Sequence, residues 1–110
     1  MPINTIMDKT TIEEVIGYLK QSLLDHGIRV ESIILFGSAL KGKIDPGSDI
    51  DLIVISPDFR NIDIFERARI TMSPEIETLR KFLVPMDIVN LSPEEYQESN
   101  MKYFKSRVVA

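Results

Sequence analysis

The sequence predicts a one-domain α/β fold in which a small mixed β-sheet is backed by helices. Three short runs rich in β-branched residues, 28–36, 49–55 and 86–91, have the composition of strands. Between them and before them, apolar residues recur at helical spacing over 11–25 and 63–82. Such alternation is typical of α/β domains, and 110 residues suffice for one domain with its own core. We therefore expect residues 1–110 to form a single domain.

The first predicted helix begins at Thr10 or Thr11, either of which can cap it, and ends at His26-Gly27. Its apolar positions follow a helical period: Ile12, Val15, Ile16, Leu19, Leu23 and Leu24. The strand over 28–36 follows and is closed by Gly37. The glycine-rich and proline-rich stretch 38–48 leaves room only for a short helical turn and a loop before the second strand, 49–55.

The stretch 63–82 is predicted to form two helices, because Pro74 lies in its middle. Proline removes a backbone hydrogen bond and disfavours helix in the preceding residue, so we place Pro74 in the first turn of the second helix. The expected inner face is apolar: Ile64, Phe65, Ala68, Met72, Ile76, Leu79 and Leu83.

The C-terminal third begins with the third predicted strand, 86–91. Ser92 and Pro93, followed by acidic residues, form a helix start with a capping residue and proline in the first turn. The last residues, 102–110, fit either a fraying helix or an edge strand through Arg107-Val108-Val109.

Composition excludes several kinds of function. A net charge of −4 argues against a surface dedicated to duplex nucleic acid, which needs clustered lysine and arginine. Without cysteine, and with one histidine, any metal must be held by oxygen ligands. No signal peptide and no apolar run near the roughly 20 residues of a membrane span is present. We expect a cytoplasmic protein with no membrane contact.

The most informative residues are Asp49 and Asp51, two acids spaced two apart within an apolar strand. Successive strand side chains alternate faces, so these carboxylates share one face while Ile50 and Leu52 occupy the other. Like charges side by side on a half-buried strand are unfavourable and raise at least one pKa. We therefore predict a divalent-metal site here, because two carboxylates at this spacing converge on cations.

Asp87 and the Gly37-Ser38 corner complete the predicted site. Asp87 stands between apolar residues of the third strand, and would join the first two acids if that strand lies beside the second. We expect it to ligate metal and to accept the proton of an attacking hydroxyl. Gly37 has no Cβ, so a phosphate can approach its backbone, while Ser38 offers an N–H and a hydroxyl. Together these parts suit nucleotidyl transfer with two Mg²⁺ ions.

These motifs resemble those of the DNA polymerase β-type nucleotidyltransferase superfamily, and most of all its minimal nucleotidyltransferase, antitoxin-like branch. The chain has Gly37-Ser38, then ten residues, then Asp49-x-Asp51, and the later acid in Met86-Asp87-Ile88-Val89. Further similar stretches are Asp58-Phe59, Phe65-Glu66-Arg67-Ala68-Arg69 and Pro93-Glu94-Glu95-Tyr96. The resemblance spans roughly residues 13–96.

The resemblance implies a polymerase β-like fold, Mg²⁺ with ATP or another NTP, and transfer of a nucleoside monophosphate to a hydroxyl. Members of the branch often pair with a small helical HEPN toxin and act as its antitoxin, some by adenylylating a tyrosine on it. A HEPN-like protein is therefore the implied partner, and a homodimer is the alternative. One residue departs from the family pattern: Lys41 stands where many relatives have arginine, and a lysine holds phosphate less rigidly. We nevertheless take Lys41 as a phosphate-binding residue.

Other interpretations of these residues are weaker. Gly37 to Lys43 fits a G-x-x-x-x-G-K phosphate loop, but Ile44 stands where a metal-ligating Ser or Thr is needed. The Asp49 and Asp51 pair could merely cap a turn, and Asp87 could be an edge-strand acid that faces water. We expect His26 to be a solvated helix-end residue. The basic residues of the 63–82 stretch are expected to form a solvated helix face: Arg67, Arg69, Arg80 and Lys81.

We therefore predict a Mg²⁺-dependent nucleotidyltransferase that moves AMP from ATP to a hydroxyl, with a partner protein supplying the acceptor. The predicted catalytic and metal-binding residues are Asp49, Asp51 and Asp87, and the predicted nucleotide-binding residues are Gly37, Ser38 and Lys41. The alternative is a non-catalytic nucleotide-binding or toxin-neutralising module of the same fold.

Overall fold

The β-strands and helices follow one another in nearly the predicted order. The computed structural model describes residues 7–37, 40, 43–44, 49–103 and 106–110. The strands are β1 (Met7–Asp8), β2 (Ser32–Phe36), β3 (Lys43–Ile44), β4 (Ile50–Ile55), β5 (Met86–Leu91) and β6 (Ser106–Val108). The helices are α1 (Lys9–Asp25), α2 (Ile64–Phe82) and α3 (Pro93–Glu98), with 3₁₀ turns at Pro57–Phe59 and Asn100–Tyr103.

The main sheet has four strands in the order β5-β4-β2-β6. Strands β4 and β5 are parallel and are joined through α2, whereas β2 pairs antiparallel with β4 on one side and with β6 on the other. Strands β1 and β3 form a separate antiparallel pair. The predicted small mixed sheet backed by helices is therefore confirmed, and the C-terminal segment is an edge strand rather than a helix.

The two faces of the main sheet bury different residues. One face carries Leu35, Leu52 and Val54 into the larger core, where α1 covers them with its own fully buried apolar residues: Ile12, Val15, Ile16 and Leu19. The other face buries Ile34, Ile53 and Ile55 beneath Tyr96 of α3 and Met101. Alternation along β4 thus separates Ile50, Leu52 and Val54 from the face of Asp51, as predicted.

Helix α1 ends where its sequence predicts. Gly27 adopts φ +82°, and its N–H donates to the carbonyl of Leu24. Helix α1 and helix α2 are tied together by side chains at this end, where Ser22 donates to Glu77 over 2.6 Å. His26 lies 3.6 Å from the other oxygen of Glu77, so it contacts α2 rather than being only solvated.

The prediction that Pro74 divides the 63–82 stretch is wrong. Helix α2 continues through Pro74, which lies buried on the side that faces the protein. Proline removes one hydrogen bond, and the packing of α2 against α1 offsets that loss, because tertiary packing supplies most of the stability of a helix in a protein. Asp63 accepts from the N–H of Glu66 at the start, and Leu83 closes the other end in the left-handed region.

The predicted inner face of α2 is also wrong. The residues that α2 buries are Arg67, Thr71, Pro74 and Thr78, whereas the large apolar residues of the predicted inner face are exposed. Ile70 and Phe82, which were not predicted on that face, are half-buried against the larger core. Thr71 and Thr78 satisfy their hydroxyls within the helix by donating to the carbonyls of Arg67 and Pro74. Small polar residues that bond to their own helix can therefore pack inward, and the apolar side of α2 is left facing outward.

Arg67 was expected on a solvated face but is 6% exposed and joins four segments. Its guanidinium donates to the carbonyls of Ile62 and Asn90, pairs with Glu95 at 2.7 Å, and lies 5.8 Å from the ring centroid of Phe59. The spacing of Arg67, Thr71, Pro74 and Thr78 at i, i+4, i+7 and i+11 is the sequence signal for this buried stripe. The apolar residues of α2 recur with the same period, so the sequence pattern alone does not indicate which side of the helix is buried.

Within the part of the chain that the structure describes, no helix is both long enough and apolar enough to cross a membrane.

Candidate functional site

Asp51 and Asp87 lie side by side on the main sheet. They are register partners in the parallel pair of β4 and β5. Neighbouring strands lie about 4.8 Å apart and partners in register point to the same face, so the two side chains emerge next to each other. The condition set by the sequence, that the third strand lies beside the second, is therefore met.

Asp49 immediately precedes β4 and is exposed, as is Asp87, whereas Asp51 is half-buried. The pKa of Asp51 is raised above its ordinary value, first by burial and then by the negative charges of Asp87 and Asp49. The charges of Asp49 and Asp87 thus both act on the carboxylate of Asp51. A divalent cation would relieve both causes of the shift, because it would replace lost solvation and offset like-charge repulsion.

Gly37 lies directly against the carboxylate of Asp51. Phe36 is the register partner of Asp51 at the end of β2, and Gly37 turns the chain there with φ +73°. A Cβ built on Gly37 would come within 3.1 Å of the Asp51 Cγ and closer still to Oδ2. Glycine is therefore required at position 37 for two reasons. The backbone has a conformation that residues with a side chain rarely adopt, and the carboxylate of Asp51 fills the space that a Cβ would need.

Ser38 and Lys41, the other two predicted nucleotide-binding residues, lie outside the described residues. The structure thus brings together Asp49, Asp51, Asp87 and Gly37 at the end of the sheet where β2 finishes and β4 and β5 begin.

The donor set at this end of the sheet fits a hard divalent cation. Carboxylate oxygens are the ligands that Mg²⁺ prefers, and magnesium is commonly held by one or two carboxylates together with substrate phosphates. Among residues 7–37, 40, 43–44, 49–103 and 106–110, no three acidic, histidine or cysteine side chains already form a group that could hold an ion. The chemistry of the site suits such an ion, and phosphate oxygens of a substrate would have to supply further ligands.

Asp58-Phe59, one of the stretches used in the family resemblance, has a structural role. Asp58 accepts from the backbone N–H of Arg29 at 2.7 Å and from its guanidinium at 2.7 and 3.0 Å. These bonds lower the pKa of Asp58. Phe59 is fully buried in the larger core. The motif therefore fixes the chain that leaves β4.

The stretch Pro93 to Tyr96 also acts through structure. Ser92 and Glu95 form a reciprocal capping box at the start of α3, and Glu95 also pairs with Arg67. Glu94 accepts two hydrogen bonds from Arg60, at 2.6 and 2.7 Å. These contacts hold α3, which follows β5, against the segment that follows β4.

A mixed sheet with adjacent carboxylates on parallel strands beside a glycine turn defines a class of α/β proteins suited to phosphoryl chemistry. Within that class, the family model described as a nucleotidyltransferase domain matches residues 12–109. The chain therefore belongs to the nucleotidyltransferase domain family, within the polymerase β-like superfamily, and the activity of this class is nucleotidyl transfer.

One solved structure supports the fold. It is that of a provisionally assigned nucleotidyltransferase from Sulfolobus solfataricus, with a TM-score of 0.52 and 19% sequence identity. The match covers 88% of this chain and 83% of that chain. At this identity the likeness concerns the fold alone. A search of curated proteins gave no match.

Proposed function

We propose that this protein is a Mg²⁺-dependent nucleotidyltransferase of the minimal, antitoxin-like type, which transfers AMP from ATP to a hydroxyl on a partner protein. The observation that carries the proposal is the environment of Asp51. Its carboxylate is half-buried, lies against Gly37, has Asp87 as its register partner and feels the charge of Asp49. Family membership supplies the reaction class, and the acids supply the site.

The chain's own residues have distinct roles in this proposal. Asp49, Asp51 and Asp87 would hold divalent cations, which supply charge neutralisation on the triphosphate when bound. Gly37 positions Asp51, and Ser38 and Lys41 bind phosphate oxygens. Asp87 accepts the proton from the attacking hydroxyl while the oxygen of that hydroxyl forms a new bond to the α-phosphorus. The bond from that phosphorus to the bridging oxygen breaks, and pyrophosphate leaves with the electron pair.

The acceptor would come from another protein. Asp49 and Asp87 are both exposed, and β5 is an edge strand in the described sheet, so a second protein can approach the carboxylates from the side. We propose a small helical HEPN-type protein as this partner, with a tyrosine hydroxyl as the acceptor. The antitoxin role would follow from modifying or covering that protein.

The test is transfer of label from α-³²P-ATP in the presence of Mg²⁺ to the purified product of the neighbouring gene. The proposal expects labelled protein with the wild-type chain, none after chelation by EDTA, and none with Asp51→Asn. Asp58→Asn is the matched control, because it removes a carboxylate with a structural role and should retain transfer. Label that is independent of metal, or equal with Asp51→Asn, would refute the proposed site.

A non-catalytic nucleotide-binding or toxin-neutralising module is the second candidate. It is favoured by one observation: Lys41 stands where many relatives carry arginine, and a lysine holds phosphate less rigidly. Calorimetric binding of MgATP separates the two functions. Tight binding of MgATP, together with complex formation but without label on any protein, would identify the module.

A further inference from the structure

The exposed side of α2 carries an unusually regular apolar surface. Four large apolar residues exposed on α2 form a regular pattern, and the exposed capping residue Leu83 continues it, which gives successive spacings of 7, 4, 3 and 4: Phe65, Met72, Ile76, Leu79 and Leu83. At 3.6 residues per turn the four that lie within α2 fall within about 60° of the helix circumference. We call these five residues the α2 stripe. Spacings of three and four are those of helices that pack against another helix.

The α2 stripe is strongly exposed. Phe65 is 78% and Leu83 is 79% exposed, and the other three members range from 38% to 55%. Together with Ile64, which is 70% exposed, they form a more extensive apolar surface than the scattered single apolar residues that monomers ordinarily expose. A groove of about 400 Å³ between α2 and β5 adjoins the stripe and is lined in part by Met72, Ile76, Leu79 and Ile88. Apolar surfaces of this kind mark sites where another molecule binds.

Four of the five residues of the α2 stripe are placed symmetrically about the middle of the helix; Leu79 is the exception. Phe65 and Leu83 are equally far from residue 74, and so are Met72 and Ile76. In an antiparallel pair of α2 helices related by a twofold axis near residue 74, Phe65 of each copy would meet Leu83 of the other. Such self-complementarity is the defining property of a twofold interface between identical chains.

The charges beside the stripe have the same symmetry. Glu66 lies in the first turn of α2 and Arg80 in the last. Both lie on the same flank of the α2 stripe, and their midpoint along the helix is residue 73. The twofold axis would therefore place Glu66 of each copy near Arg80 of the other. Arg80 has no ion pair among the described residues, whereas Glu66 is paired with Arg69 of its own helix. Antiparallel helices also oppose their dipoles favourably.

We infer that the α2 stripe is a homodimer interface, in which the α2 helices of two copies of this chain pack antiparallel about residue 74. The interface would leave the acidic site open, because α2 packs on the face of the sheet that carries Ile88, whereas Asp51 and Asp87 lie on the opposite face. The inference does not depend on the proposed function.

Sedimentation equilibrium of the full chain measures this association. The wild type should sediment at twice 12.6 kDa at micromolar concentration. Leu79→Glu should raise the dissociation constant at least about tenfold, since it buries a charge in the seam. Leu24→Glu is the matched control, because Leu24 is 44% exposed on α1 and Leu79 is 42% exposed; this control should leave the mass unchanged.

A charge exchange tests the antiparallel geometry. Glu66→Arg alone and Arg80→Glu alone each create two like-charge contacts per dimer, so each should weaken the dimer. An equimolar mixture of these two variants should recover it, because in the mixed dimer every contact again joins opposite charges. Circular dichroism confirms that each variant is folded.

The homodimer is refuted if the wild type remains at 12.6 kDa throughout, or if it dimerises equally well with Leu79→Glu. Failure of the mixed variants to recover the dimer would refute the antiparallel arrangement. A wild-type chain that stays monomeric and uses the α2 stripe only for a different helical protein would also overturn the inference.

Discussion

Asp51 and Asp87 are direct register partners across the parallel strands β4 and β5, with the backbone of Gly37 against the first of them. Two carboxylates in this relationship repel each other, and burial adds to the cost at Asp51. The fold tolerates this cost at one end of its sheet. That arrangement is expected where a cation and a triphosphate complete the site.

Asp51→Asn should stabilise the metal-free protein at neutral pH. The pKa of Asp51 is raised in the folded state, so its ionised form is less favourable there than in the unfolded chain, and the cost is present above the folded-state pKa. We expect Tm in EDTA to rise by a few degrees at pH 7, and the gain to shrink as pH falls toward the ordinary carboxyl range. A lower Tm for the variant at pH 7 would contradict this account of Asp51.

Asp58→Asn should have the opposite effect. Hydrogen bonds from Arg29 lower the pKa of Asp58, so the stabilisation is present above the unfolded-state pKa and is lost as pH falls through the folded-state value. We expect Tm to fall by a few degrees at pH 7, with little difference from wild type near pH 2. Thermal unfolding followed by circular dichroism at several pH values measures both variants. An equal loss of Tm at pH 7 and near pH 2 would show that the charge of Asp58 does not cause the destabilisation.

Three glycine substitutions separate backbone strain from the contact with Asp51. Gly37→Ala meets both a positive φ and the Asp51 carboxylate, so it should lower Tm and also reduce nucleotidyl transfer at least about tenfold by displacing a catalytic group. Gly27→Ala meets a positive φ in open space and should cost about 1 kcal/mol without changing transfer. Gly17→Ala lies within α1 with open space around it and should gain about 0.5–1 kcal/mol.

Urea unfolding and the labelled-ATP assay give the two readouts for this series. If Gly27→Ala and Gly37→Ala reduced transfer equally, the contact between Gly37 and Asp51 would have no specific role.

Arg67→Met should be strongly destabilising. The substitution leaves the carbonyls of Ile62 and Asn90 without their donors and removes the pair with Glu95, at a cost of about 2–4 kcal/mol. Arg69→Met is the control, because Arg69 pairs with Glu66 on the exposed surface and should leave stability unchanged within error. Chemical denaturation compares the two variants. Similar stabilities would mean that Arg67 does not join α2 to β5 and α3.

The sheet was predictable because local patterns and tertiary packing agree there. The β-branched runs that end at Phe36, Ile55 and Leu91 each form a strand, and alternation along β4 separates Asp51 from Leu52 as expected. The capping box at Ser92 also follows from short-range chemistry. The order of the strands in the sheet was harder to predict, because nothing in the sequence alone requires β5 to lie beside β4.

Helix α2 was mispredicted because its apolar period does not identify its buried side. Thr71 and Thr78 bury well once their hydroxyls bond within the helix, and Arg67 buries because four partners satisfy it. The close contact of Gly37 with Asp51 likewise depends on the register of β2 against β4. Such register is a property of the assembled sheet. The metal-binding and catalytic roles of Asp49, Asp51 and Asp87 stay predictions.

The proposed metal site at Asp49, Asp51 and Asp87 is tested most directly by binding of Mn²⁺ in the presence of ATP, measured by electron paramagnetic resonance as loss of the free-ion signal. We predict binding by the wild type, about tenfold or more weaker binding by Asp51→Asn, and unchanged binding by Asp58→Asn. Wild-type binding should also weaken as pH falls, at a pH above the ordinary aspartate range, because protons compete for Asp51. Equal Mn²⁺ affinity for the wild type and Asp51→Asn would contradict a metal site at these carboxylates.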